Sequence, residues 1–222
     1  FEINIVERSN EILSKNKIFN REEAEKALEI RKINVFLNSI VKEVSEQKIS
    51  FANNSGIKNL DQDIVIWTAG VKSNLSYLDN EIPKMNGRIV VNDKFQIENN
   101  MNCFAIGDIS IIKGMEDLPL TAQVAIQEGN HLARNLDLLT QGKNLLPFEF
   151  QDNGEMISLG IGQASISALG ITLSGKLAFE ARRLIYASKL PDLGKSLKSA
   201  TSWVFHKKSI VSHFFQKDNK FD

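Results

Sequence analysis

The residues best suited to chemistry in this sequence lie between Asn102 and Gly129, NCFAIGDISIIKGMEDLPLTAQVAIQEG. Gly107 has no Cβ, so a ligand can approach its backbone closely. Asp108 presents carboxylate oxygens to hydroxyl groups at the end of the apolar stretch Cys103–Ile106, and open α/β sheets bind ligands at strand ends. Pro119-Leu120-Thr121 opens a helix. Thr121 can cap it, and its positive end then points into the same crevice. That helix carries Gln123 and Gln127 four residues apart, on one face. The stretch reads as a site of nucleotide or cofactor size, and equally as an ordinary Gly-Asp turn followed by an ordinary cap.

Other chemistries are poorly provided for. Cys103 is the only cysteine of 222 residues, which excludes an intrachain disulfide framework, a paired-cysteine redox site and a cysteine metal cluster. Placed inside an apolar stretch, it is expected to be a small core residue. His131, His206 and His213 lack metal-ligand spacing, so no metal site is expected. Lys and Arg balance Asp and Glu at 27 each, and nothing in that balance calls for nucleic acid. The distribution is uneven. Residues 173–222 hold ten basic and four acidic side chains, a net +6, which leaves −6 on the rest. A basic end on an acidic body suits an anionic surface. No apolar run reaches the roughly twenty residues a membrane span requires, and no signal peptide is visible. The first residue is Phe1, within a strand-like pattern, so a fragment is expected.

The elements that would position these residues can be read in order. Phe1–Glu7 reads as a strand ending on an acid, the position a dinucleotide-binding fold uses to hold adenosine ribose hydroxyls. Arg21–Ile30 is rich in helix formers. Val35–Leu37 reads as a short strand, and Asn38–Phe51 as a hairpin or meander. Asp63–Trp67, DIVIW, reads as a buried strand ending in Thr68-Ala69-Gly70, whose small residues permit close approach of a ligand. Asn74–Asn86 is irregular. Gly87–Val91 and Lys94–Ile97 flank a turn at Asn92-Asp93. The helix from Thr121 to Thr140 should face the core with Val124, Ala125, Leu132, Leu136 and Leu139. Pro147–Gly162 reads as two strands joined at Asp152-Asn153-Gly154. Gly160-Ile161-Gly162 is not a phosphate loop, because Ser165 stands where a third glycine belongs. Leu173–Leu190 is an amphipathic helix with Leu173, Leu177, Ala181, Leu184, Ile185 and Ser188 along one side. Lys176, Arg182, Arg183 and Lys189 flank it, and Pro191 ends it. Leu193–Phe205 repeats the pattern before His206-Lys207-Lys208, and Ile210–Phe215 adds an apolar stub. Aromatic residues beside Lys clusters suit a helix lying on a membrane, or one packed on its own domain.

The order of DIVIWTAGV (63–71), GRIVVNDKFQ (87–96), CFAIGD (103–108), LPLTAQVAIQEG (118–129) and FEFQDNGEMISLG (148–160) resembles the type II NAD(P)H:quinone oxidoreductases. These are membrane-bound flavoproteins. The stretch from Ile157 to Pro191 resembles their cyanobacterial and plastid branch, associated with demethylphylloquinone reduction. The resemblance implies an α/β, glutathione-reductase-like flavoprotein with two dinucleotide-binding domains. This chain would be its incomplete carboxyl-terminal part, with basic amphipathic helices at the end. Residues 1–70 would be the latter part of the NAD(P)H domain, 71–143 the returning part of the FAD domain, and 144–222 the membrane and quinone region.

The resemblance also implies roles. The cofactors would be FAD and NAD(P)H. Gly107 and Asp108 would meet the flavin, with Asp108 on the ribitol. Thr121, Ala122 and Gln123 would set a helix amino end at the pyrimidine edge. Gln123 and Gln127 would line the quinone pocket and donate to quinone carbonyls without the far larger cost of burying a charge. Ala69 and Gly70 would lie on the nicotinamide side. Glu7 would hold the adenosine ribose and disfavour a 2′-phosphate, which Arg8 partly offsets; NADH is the expected donor. A quinone would be the substrate and residues 173–208 the membrane contact. The resemblance is compatible with a homodimer, and places the protein peripherally on the cytoplasmic face of a thylakoid or plasma membrane. Two alternatives stand beside it: a soluble flavin disulfide or peroxide reductase, which needs a redox cysteine outside this chain, and a non-catalytic membrane-associated module.

Overall fold

Alternating apolar residues open the chain, and the strand they predict forms. The computed structural model describes residues 2–78, 81–189, 192 and 194. Strand β1, Asn4–Val6, pairs in parallel with β2, Asn34–Phe36, with Ile5 opposite Val35. Parallel neighbours need a long crossover. Helix α1, Ile18–Ile30, supplies it and buries Asn20, Ala24 and Ala27. An antiparallel meander follows: β3, Ile40–Val44, β4, Lys48–Asn53, and β5, Gly56–Asp61. It extends the expected meander to Asp61. The fully buried Phe51 anchors it, with its ring centroid 5.0 Å from that of Phe36.

The strand expected at Asp63–Trp67 does not form. Ile64 and Ile66 are 82% and 81% exposed and Trp67 is 62% exposed. A buried strand requires ladder partners and a layer over each face. Among the described residues no strand pairs with this segment, and β1 pairs with β2 alone.

Residues 66–152 form one compact unit, and residues 1–65 with the described residues from Asn153 onward form another. The unit of 66–152 is built on a small mixed sheet. Strand β6, Lys84–Met85, lies antiparallel to β7, Arg88–Val91. Strand β8, Gln96–Ile97, returns against β7. The Asn92 side chain makes this turn, accepting the Lys94 and Gln96 N–H groups at 2.9 and 3.0 Å. Strand β9, Asn100–Phe104, pairs antiparallel with β8, and β10, Ser110–Ile112, pairs in parallel with β7. The core gathers Ile89, Val91, Phe95, Ile97, Ala105, Ile112 and Phe148. Cys103 is exposed, not a core residue, because β9 is an edge strand.

Helix α2 runs Ala122–Thr140. Its inner face differs from the expected one. Val124, Glu128 and Asn135 are buried, while Leu136 and Leu139 are 41% and 48% exposed. The segment after α2 holds no strand as far as Gly154, so no hairpin forms at Asp152-Asn153-Gly154. The hairpin lies one strand later. Strands β11, Glu155–Gly160, and β12, Gln163–Ala168, turn at Ile161-Gly162, and β13, Ile171–Ser174, completes an antiparallel sheet. The Gly160–Gly162 segment is thus a strand turn, as its rejection as a phosphate loop required. Helix α3, Gly175–Ser188, packs on β12, burying Ala178 and Ala187. It is shorter than the expected Leu173–Leu190, because Leu173 and Ser174 belong to β13. The amphipathic segment read at Leu193–Phe205, the basic residues at 206–208 and the stub at Ile210–Phe215 lie outside the described residues.

Candidate functional site

The turn Gly107–Ile109 is a single 3₁₀ turn, Gly107 having a φ of +74°. A Cβ there would find ordinary contact distance, 3.9 Å from the Ala125 Cβ, so the backbone angle and not space selects glycine. The Ser110 hydroxyl donates to the Gly107 carbonyl at 3.1 Å and closes the turn. Asp108 is left exposed, with its carboxyl on the surface.

The Thr121 hydroxyl oxygen accepts the Val124 N–H at 3.4 Å and caps α2. The turn and the first turns of α2 border one narrow cleft, lined by Arg88, Gly107, Asp108, Pro119, Ala125 and Glu128 among others. The structure therefore brings Gly107, Asp108 and the amino end of α2 together. The exposed Thr121 and Ala122 and the half-buried Gln123 stand at that end.

Gln127, which the resemblance would set in the quinone pocket, is engaged with backbone. Its Nε2 donates to the Gln151 carbonyl at 2.8 Å, and its Oε1 accepts the Gln151 N–H at 3.0 Å. Asn135 repeats the arrangement two turns on. Its Nδ2 donates to the Leu146 carbonyl and its Oδ1 accepts the Leu146 N–H, both at 2.9 Å. Two amides on α2 thus hold residues 146–151 along the helix, and the buried Phe148 packs 5.1 Å from Phe95 between them. The sequence carries no signal for this clamp, since the partners are backbone groups in an irregular segment.

Two charged residues of the cleft were not foreseen. Glu128 is 4% exposed, and its carboxyl accepts the Gly107 N–H. Burial raises its pKa, the Gly107 N–H opposes that, nearby Asp108 adds to it, and Arg88 again opposes it. Arg88 also donates to the Ser110 carbonyl at 3.3 Å. The available clue was position: Glu128 stands four residues after Val124, on the buried face.

In the other unit, Glu7 follows β1. Its carboxylate accepts the Ser9 N–H at 2.7 Å, and that bond holds its pKa below the ordinary value. Ala69 and Gly70 belong instead to the unit of 66–152; they are exposed, and the Gly70 N–H donates to the Thr68 carbonyl at 2.8 Å. Neither lines the cleft beside α2. Helix α3 turns its apolar side chains outward: Leu177 is 72% exposed and Leu184 59%. The Arg182 guanidinium lies 4.6 Å from the centre of the Tyr186 ring. Among the described residues no cluster of His, Cys, Asp and Glu could hold a metal, and no helix is long and apolar enough to cross a membrane.

Comparison with known proteins follows the same lines. Residues 1–129 match the pyridine nucleotide-disulphide oxidoreductase family. The chain is 32% identical over 205 residues to the demethylphylloquinone reductase NdbB of Synechocystis, covering 91% of this chain and 51% of that protein. It is 32% identical over 231 residues to the alternative NAD(P)H-ubiquinone oxidoreductase C1 of Arabidopsis thaliana, covering 92% and 43%. Its fold superposes on NDH2 of Plasmodium falciparum, solved in complex with NADH, with a TM-score of 0.79 at 16% identity, over 93% of this chain and 58% of that one. The chain spans about half the length of the curated relatives it matches.

Proposed function

The chain belongs to the pyridine nucleotide-disulphide oxidoreductase family, among the type II NADH:quinone oxidoreductases, and from this premise we propose that its protein passes two electrons from NAD(P)H through FAD to a membrane quinone. The observation that carries the reading is the meeting of the Gly107–Asp108 turn with the amino end of α2 around one cleft. The donor and acceptor groups there fit a flavin. An exposed carboxylate suits ribitol hydroxyls, and the amino end of a helix suits the electron-rich pyrimidine edge.

FAD, when bound, supplies the hydride and electron chemistry. The residues of this chain bind and tune. Asp108 accepts hydroxyl hydrogen bonds. The N–H groups after Thr121 stabilise negative charge at the amino end of α2 by about 0.3–2 kcal/mol. Gln123 offers an uncharged amide to a quinone carbonyl. Gln127 contributes by fixing residues 148–151 beside the site. Glu7, held ionised by Ser9, binds the adenosine ribose and repels a 2′-phosphate, which favours NADH. Ala69 and Gly70 leave room on the nicotinamide side.

The quinone is taken up at a membrane surface. Helix α3 supports this, since its alanine face packs inward while Leu177, Leu184 and Tyr186 point out among basic residues. The protein is then peripheral, on the cytoplasmic face, and demethylphylloquinone is the substrate suggested by similarity to NdbB.

The test is to purify the full-length protein and record its visible spectrum. We expect bound flavin, bleached faster by NADH than by NADPH, and retained about tenfold more weakly in Asp108→Ala, the effect of one lost hydrogen bond to a charged group. A colourless wild-type protein contradicts the reading.

A further inference from the structure

We infer that Glu128 is a positioning residue for the flavin: by accepting the Gly107 N–H from inside the domain, its carboxyl sets the turn that presents Asp108. This rests on the function proposed above. Glu128 belongs to α2 and Gly107 to the turn after β9, so the bond ties the helix directly to the turn. The turn has little else to fix it from that side. Its other closures include the Ser110 N–H and hydroxyl on the Gly107 carbonyl, both within the turn itself, and the Ser73 hydroxyl, which reaches the Asp108 carbonyl only at 3.5 Å.

The position is an expensive one for a carboxyl. Glu128 is nearly fully buried, where a leucine would serve packing at no electrostatic cost. The charged groups that face it are Asp108 from the turn, which disfavours its ionisation, and Arg88 from β7, which favours it. An acceptor at this place satisfies the part-buried Gly107 N–H. Asp108 follows Gly107 directly, so this bond from the helix bears on the angle at which its carboxylate leaves the turn. Glu128 touches neither the flavin nor the quinone in this account; it acts through the turn.

The experiment uses the full-length protein, stripped of flavin and titrated with FAD by fluorescence, with a thermal unfolding midpoint recorded for each variant. Glu128→Met keeps the volume and removes the acceptor. It should weaken FAD binding about tenfold, the usual worth of a hydrogen bond to a charged group. Glu128→Gln keeps an acceptor oxygen and should restore affinity to within about twofold of wild type. Glu128→Asp, one methylene shorter, should lose affinity like Glu128→Met, and it decides the matter if the Met variant does not fold. Wild-type affinity in Glu128→Met or Glu128→Asp overturns the inference, as does a Gln variant as weak as the Met variant. A wild-type protein that binds no FAD overturns this inference and the proposed function together. A wild type that binds FAD beside indifferent variants overturns this inference alone.

Discussion

Gly107 and Glu128 are the two residues on which the candidate site turns, and they differ in how plainly they show. Gly107 was legible as a turn glycine, and the order of the surrounding segments singled it out. Its φ of +74° gives a direct expectation. Gly107→Ala should cost about 1–2 kcal/mol of stability, the usual penalty for a Cβ in the left-handed region, measured by urea unfolding. Because the Ala125 Cβ is 3.9 Å away, no clash should add to that, and a loss well above this range would mean the turn is packed more tightly than described. Glu128 was not legible, because an acid on a charged helix normally faces water. Its raised pKa gives a signed pH effect. The fold favours the protonated form, so the stability this group lends is present below the ordinary value of 4.5 and is lost as pH rises through the raised value. Wild type should therefore lose stability relative to Glu128→Gln as pH rises through that window. A gap independent of pH would contradict the assignment.

Elements were legible where local chemistry decides them. Thr121 caps α2 one residue before its observed start, and Asn92 makes the turn between β7 and β8, both as their residue types require. Elements failed where distant partners decide. Asp63–Trp67 has the composition of a buried strand but no ladder neighbour among the described residues. The inner face of α2 was misread because it is partly polar: Gln127 and Asn135 look inward to hold backbone, so Leu136 and Leu139 turn out. This clamp can be tested. Asn135 is fully buried, so Asn135→Leu removes the acceptor of the Leu146 N–H, while the Leu146 carbonyl keeps His131 Nε2 at 3.0 Å, and should cost about 1–3 kcal/mol. Gln127→Met loses bonds to the exposed Gln151, which water can replace, and should cost about 0.5–1.5 kcal/mol. Denaturant midpoints of the two variants measure the order, and a reversed order would refute the clamp as the structure draws it.

At the scale of the molecule, the order of segments carried more information than any one of them. Each motif alone had an ordinary explanation; together they follow one family, and the fold agrees with it. The dinucleotide side was less legible, since Glu7 belongs to one compact unit while Ala69, Gly70 and the Gly107 turn belong to the other. The membrane reading has its own test. Leu177 and Leu184 leave the outer face of α3 apolar, so replacing both by Glu should weaken sedimentation of the full-length protein with anionic vesicles by about tenfold. Unchanged sedimentation would remove α3 from the contact. The central claim, transfer from a flavin to a quinone, is tested most directly by the acceptor. The full-length protein is reduced with NADH under anaerobic conditions and mixed rapidly with a lipid-soluble quinone, a disulfide or hydrogen peroxide while the flavin absorbance is followed. The account predicts full recovery of oxidised flavin with the quinone and little with the others. Recovery with the disulfide or peroxide and none with the quinone would contradict it.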